Sequence, residues 1–295
     1  MLQNLIKDLK GEFFDRSNIL TRIIAVNVLV YFLYLAIPVI PSWFGLWEYS
    51  KGVSVIGKWL AVPSFLSDFL FKPWTLITYQ FMHSSSDIFH LFFNMLYLYV
   101  FGRIFLDFIG TKRFLPIYLL GGFGGAIMFW LAMNILPTFQ SDQSVPMVGA
   151  SASIMAISLA ITVIRPNYPL MIPFIGAVPI KYIILIFVAL DFIQTTGSNA
   201  GGHFAHIGGA LVGVFFAVQF QKGRDITIWF SDLITLFHRE KRAPMKVVHK
   251  SNRGSFPGNI SQEQELNRIL DKINQSGYPS LSQAEKDFLT KTSKK

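Results

Sequence analysis

The strongest constraint on this sequence is a recurring run of about 20 mostly apolar residues, the length that crosses about 30 Å of hydrocarbon as a helix. Six such runs are read, at 20–40, 88–109, 114–136, 148–164, 178–195 and 203–221. Only 15% of the residues are charged, against about 25% in a soluble domain. About half of the Lys and Arg lie after residue 221. The expected fold is therefore all-α: a polytopic membrane bundle of six helices with a small helical appendage at the C-terminal end. The second run carries Arg103 and Asp107 near its end, so its helix is expected to stop short of 109.

The polar segments divide the chain into an amphipathic leader (1–19), the membrane domain (20–221), a basic linker (222–260) and a small helical domain (261–295). In the last of these, Leu266, Ile269, Leu270 and Ile273 fall at helical spacing, and Ser282 three residues before Glu285 marks a second helix start. Lys and Arg collect in the leader, in the links after the second and fourth runs, and in the tail. The links 137–147 and 196–202 have neither. Basic residues mark the cytoplasmic side, so both termini are expected there. The loop 41–87, rich in Trp and Phe, is expected on the outer side, partly in the membrane interface, although its Lys51, Lys58 and Lys72 break the charge pattern. The net charge of +9 follows from this sidedness, and no nucleic-acid partner is implied. There are no cysteines, which excludes disulfides, thiolate catalysis and Cys-ligated metals. The N-terminus lacks the basic start, short apolar core and cleavage site of a secretory signal.

Polar groups inside a membrane are costly, so each is a functional candidate. They are His90 and Asn94 in the second run, Ser151 and Ser153 in the fourth, and His203 and His206 in the sixth. All three runs enter from the outer face, and every candidate falls within about two turns of that end. His90 and Asn94, four apart, share a helical face. His206 shares a face with Gly209 and Gly213, a small-xxx-small pattern that lets membrane helices approach closely. The fourth run opens on Gly149, Ala150, Ser151 and Ala152. A close contact between the fourth and sixth runs, with Gly149, Gly209 and Gly213 as packing glycines, would bring Ser151 within reach of His206.

A serine needs a base beside it to act as a nucleophile, and imidazole can take the proton and return it to a leaving amine. An oxyanion needs donors, and His90, Asn94 and the Ser151 backbone N–H suit that role. No acidic residue is read into the group, so a Ser–His dyad is expected in place of a triad.

These pieces resemble the rhomboid intramembrane serine proteases. The similarity rests on PWTLITYQFMH (73–83), HLFFN (90–94), GASAS (149–153) and HFAHIGGALVG (203–213), in that order on six spans. It covers roughly residues 20–221. The resemblance implies Ser151 as nucleophile, His206 as base, and His90, Asn94 and the Ser151 N–H as the oxyanion hole. It implies transmembrane protein substrates, cleavage near the outer face, no cofactor and no metal. A multi-pass protein of the bacterial inner membrane, acting as a monomer in the bilayer, is expected. The tail is similar to a small cytosolic domain appended to some bacterial rhomboids. The family usually has Gly where Ala152 stands, so its methyl is expected to tighten the oxyanion site. Met155 stands where the family often has Tyr, and is expected to pack on the imidazole edge.

Other readings are open at this point. Ser151 can be a packing residue, Asn94 interhelical glue, and His83 and His203 structural. The four histidines His83, His90, His203 and His206 can be read as metal ligands, but the sequence has no H-E-x-x-H and only Asp87 nearby. A transporter would show midplane charges or broken helices. A catalytically silent rhomboid-like protein that binds membrane clients is the main alternative.

Overall fold

The computed structural model describes residues 19–140, 144–197, 199–230 and 260–292. The leader, except for Ile19, and most of the linker (231–259) lie outside the described residues. Two compact units divide at His238 and Arg239.

The membrane unit holds one apolar helix for each of the six expected runs. They are α1 (Ile19–Ala36), α6 (Ile88–Phe108), α7 (Phe114–Ile135), α8 (Ser151–Ile164), α9 (Ile180–Gln194) and α10 (Ala200–Gln221). Four of them, α1, α6, α7 and α10, are long and apolar enough to cross a membrane. Lipid-facing Leu29, Phe92, Ile127 and Leu211 are about half exposed, which a bilayer tolerates and water does not. The chain is a multi-pass integral membrane protein. Helix α6 stops at Phe108, just short of 109, and includes Arg103 and Asp107. The Arg103 guanidinium lies over the Tyr99 ring at 5.9 Å, and a long basic side chain at a helix end keeps its charge near the interface.

The loop 41–87 contains more regular structure than its composition suggests. It holds α2 (Val39–Trp43), α3 (Tyr49–Leu60), β1 (Val62–Pro63), α4 (Leu66–Phe71) and α5 (Thr75–Thr78), and then a 3-10 turn over Tyr79–Phe81. Trp59 and Trp74 stack with ring centres 5.7 Å apart, while Trp43, Phe44, Leu70 and Phe71 stay at least three-quarters exposed. Amphipathic helices with bare aromatic faces suit a membrane interface. The link between α8 and α9 is a hairpin of β3 (Pro169–Ile172) and β4 (Gly176–Pro179).

The short helix α8 sits at the centre of the bundle, with Ala152 through Ser158 all buried. It is short because the chain before it is extended. Met147 of β2 (Pro146–Met147) pairs with Val62 of β1, and the Gly149 N–H donates to the Tyr79 carbonyl at 3.0 Å. Irregular backbone at membrane depth is tolerated where it is buried in protein or lines a cavity. Here it lowers the first residue of α8 into the protein.

Small residues let α7, α8 and α10 meet. A side-chain carbon on Gly209 would run into the Ala152 carbonyl, and one on Gly213 into the Ala156 carbonyl. On the other side, one on Gly121 would meet the Ala156 methyl and one on Gly125 the Ala152 methyl. Buried polar groups pin the 79–83 segment to this core. Tyr118 Oη donates to the Gln80 carbonyl at 2.7 Å, and Ser153 Oγ donates to Gln80 Oε1 at 3.1 Å. Each buried polar atom so satisfied avoids a desolvation penalty of about 1–3 kcal/mol.

The second unit is a helical pair, α11 (Ile260–Ser276) and α12 (Gln283–Thr292). Ile269 and Leu281 are buried between them. Glu285 accepts from the Ser282 N–H at 2.8 Å and donates its own N–H to Ser282 Oγ at 3.4 Å, a reciprocal cap. The Lys272 ammonium and the Ser282 N–H hold the Glu285 carboxyl down at about 2.

Candidate active site

The predicted polar residues meet at a cavity of about 1050 Å³. His90 and Asn94 reach it from the first two turns of α6, Ser151 from the first residue of α8, and His203 and His206 from the first turns of α10. Ser153 is elsewhere: it is fully buried and bonded to Gln80.

Ser151 Oγ and His206 Nε2 are 2.6 Å apart. The contact follows from the Gly209–Ala152 approach one turn below, which draws the two helix starts together. His206 Nδ1 is 2.7 Å from Asp191 Oδ1, and His203 Nδ1 is 2.8 Å from the same oxygen. Asp191 is buried.

Asp191 corrects the expectation that no acid belongs to the group. Comparing only the second, fourth and sixth runs, whose starts are expected at one face, leaves out α9, which reaches the site by its C-terminal end. Asp191 lies in the last turn of α9, so it arrives at the depth where α10 begins. Its signal in the sequence is that it is the lone acidic residue of the run 178–195.

On the other wall, His90 Nδ1 accepts from the Ser84 N–H at 3.4 Å. Its Nε2 therefore carries the proton of the neutral ring and can donate. Asn94 Nδ2 donates one proton to the His90 carbonyl at 2.7 Å, which leaves a second amide proton. Asp87 caps α6 by accepting from the Phe89 N–H at 2.9 Å. His83 is buried edge-on to His90, with ring centres 5.2 Å apart. Burial, with His90 beside it, keeps the His83 imidazole neutral, down at about 3.

Gly149 differs from its expected role in helix packing. It precedes α8 with φ +136°, a conformation that side chains disfavour. A side-chain carbon there would stand 3.3 Å from His90 Nε2 and 3.4 Å from Ser151 Oγ. It keeps open the space between those two groups. Ala152 also departs from expectation. Its methyl packs against Gly125 of α7 and does not line the cavity. Met155 does line it.

Asp191, His203 and His206 each offer one ligand atom, and the three atoms lie within 4.8 Å of one another, a spacing a divalent ion could bridge. Hydrogen bonding to the carboxylate accounts for both imidazoles without one. Among the described residues this is the one such cluster.

The chain resembles known proteins in two separate regions. A family model described as the Rhomboid domain matches residues 71–222. A family of unknown function, DUF6576, matches residues 259–295. The chain is 32% identical over 161 residues to the RHOMBOID-like protein 12, mitochondrial, of Arabidopsis thaliana, covering 51% of this chain and 47% of that protein. It is 28% identical over 136 residues to the Presenilin-associated rhomboid-like protein A, mitochondrial, of Danio rerio, covering 45% and 34%. The chain thus spans less than half the length of either relative.

Proposed function

The chain belongs to the rhomboid family, and from that premise we propose that it is an intramembrane serine endopeptidase that cleaves transmembrane segments of other proteins near the outer face. The observation that carries this reading is the 2.6 Å contact between Ser151 Oγ and His206 Nε2 at the wall of a large cavity.

In this reading Ser151 Oγ attacks the scissile carbonyl carbon while its proton passes to His206 Nε2. The carbonyl oxygen gains negative charge. It is met by the Ser151 N–H, His90 Nε2–H and the free amide proton of Asn94. The C–N bond then breaks, and Nε2 returns the proton to the leaving amine. Water, activated by the same nitrogen, hydrolyses the acyl-serine and regenerates Ser151. No cofactor is needed. A substrate helix hides its carbonyls in its own hydrogen bonds, so the segment must unwind locally to reach Ser151.

All of these residues come from one chain, so a monomer suffices. Cytoplasmic termini are carried over from the charge pattern. Both relatives are named as mitochondrial, and they lend no support to the bacterial inner membrane expected from the sequence.

The test is cleavage of a single-span substrate in proteoliposomes, with the cut mapped by mass spectrometry. Wild type should cut within or just outside the span, and Ser151→Ala should not cut at all. Cutting by folded Ser151→Ala would refute the nucleophile. A folded wild type that binds the span and leaves it intact would put client binding in place of proteolysis.

A further inference from the structure

Asp191 has no part in the chemistry set out above, yet it is placed to govern it. It is 8% exposed in the last turn of α9. A carboxylate at such a place needs hydrogen-bond donors. Its Oδ1 has two, His203 Nδ1 at 2.8 Å and His206 Nδ1 at 2.7 Å. An ionised carboxylate only accepts, so both Nδ1 atoms carry protons. On His206 that leaves Nε2 bare, and Nε2 is the atom 2.6 Å from Ser151 Oγ. The proton on the far side of the ring thus leaves the nitrogen that faces the serine free to accept.

We propose that Asp191 is a positioning residue for His206, holding the imidazole in the Nδ1–H tautomer that can accept the Ser151 proton. His203, as second donor to the same oxygen, keeps the carboxylate aimed. The inference rests on the proteolytic reading for its consequence in rate, but not for the tautomer itself. After proton transfer His206 carries a positive charge, and the carboxylate 2.7 Å away stabilises it while staying ionised.

A purely structural role is the competitor, because the same bonds tie the end of α9 to α10. The test uses the full-length protein in detergent, with histidine labelled by nitrogen-15. Wild-type His206 should show the Nδ1–H tautomer. Asp191→Leu removes the acceptor and puts no other polar group in its place, so that tautomer should be lost. With a transmembrane substrate, its kcat should fall on the order of 10²–10⁴-fold, with KM little changed. Asp191→Glu, which restores a carboxylate, should recover part of both readouts.

An Nε2–H tautomer on wild-type His206 would overturn the inference, as would an Asp191→Leu protein that keeps wild-type kcat and tautomer. A lower thermal midpoint and higher KM with the tautomer unchanged would make Asp191 structural only. Where wild type cuts no substrate, the proteolytic reading fails, and the wild-type tautomer still decides the role of Asp191. The same wild-type spectrum decides it where Asp191→Leu does not fold.

Discussion

His206 Nε2 lies 2.6 Å from Ser151 Oγ, across a helix contact with no room for a side chain at Gly209. That glycine sits one turn below His206 and touches the Ala152 carbonyl next to Ser151. Gly209→Ala should force α8 and α10 apart. It should cost about 1–3 kcal/mol, the usual range for overpacking, and should lower cleavage by more than the loss of folded protein explains. Leu211→Ala, on an exposed face of the same helix, is the control and should leave activity near wild type. Denaturation midpoints and initial rates on the same samples check both.

Gly149→Ala should act differently. Its φ of +136° makes any side chain strained, at a cost of about 1–3 kcal/mol. The new methyl would also press on His90 Nε2, 3.3 Å away. The expected signature is a fall in kcat that persists at temperatures where the variant is fully folded. A variant with wild-type kcat would remove Gly149 from the site.

His90→Ala and Asn94→Ala should each lower kcat by about 10²–10³-fold, as when one oxyanion donor is removed. Asn94 also caps the His90 carbonyl at 2.7 Å, so its variant should lose some stability as well. Wild-type kcat in either variant would reduce that residue to packing.

Much of this site is legible in the amino-acid sequence, because intramembrane polar residues are rare and their depth follows from the sidedness of the helices. Ser151, His206, His90 and Asn94 stand out in that way. Asp191 does not, because it enters from the opposite direction, at the end of α9. Gly149 and Ala152 are misplaced by sequence for a related reason. Helical facing assigns the residues at a helix start, whereas Gly149 lies in extended chain before α8. The Ala152 methyl points at α7, a partner that spacing alone does not reveal. The helices of the 41–87 loop are short and interfacial, so they lack the long apolar run that marks a span.

His83 provides a pH test. Its buried imidazole sits at about 3, against 6.5 for the ordinary group. The unfolded chain therefore binds a proton below about pH 6.5 that the folded chain does not. Stability present above that pH is lost progressively as pH falls toward 3. Carboxylates titrate mostly below about pH 5, so the window from pH 7.5 to 5 favours imidazole. The thermal midpoint in detergent should fall across it, and less steeply in His83→Gln. Equal slopes would contradict this account of His83.

The proposed chemistry depends on activation of Ser151 by His206. The most direct measurement is covalent labelling by a fluorophosphonate probe in detergent, on wild type, Ser151→Ala and His206→Ala, each verified as folded. Wild type should take the label at Ser151, and neither variant should take any. Folded wild type that takes no label, or Ser151→Ala that labels equally well, would contradict that activation.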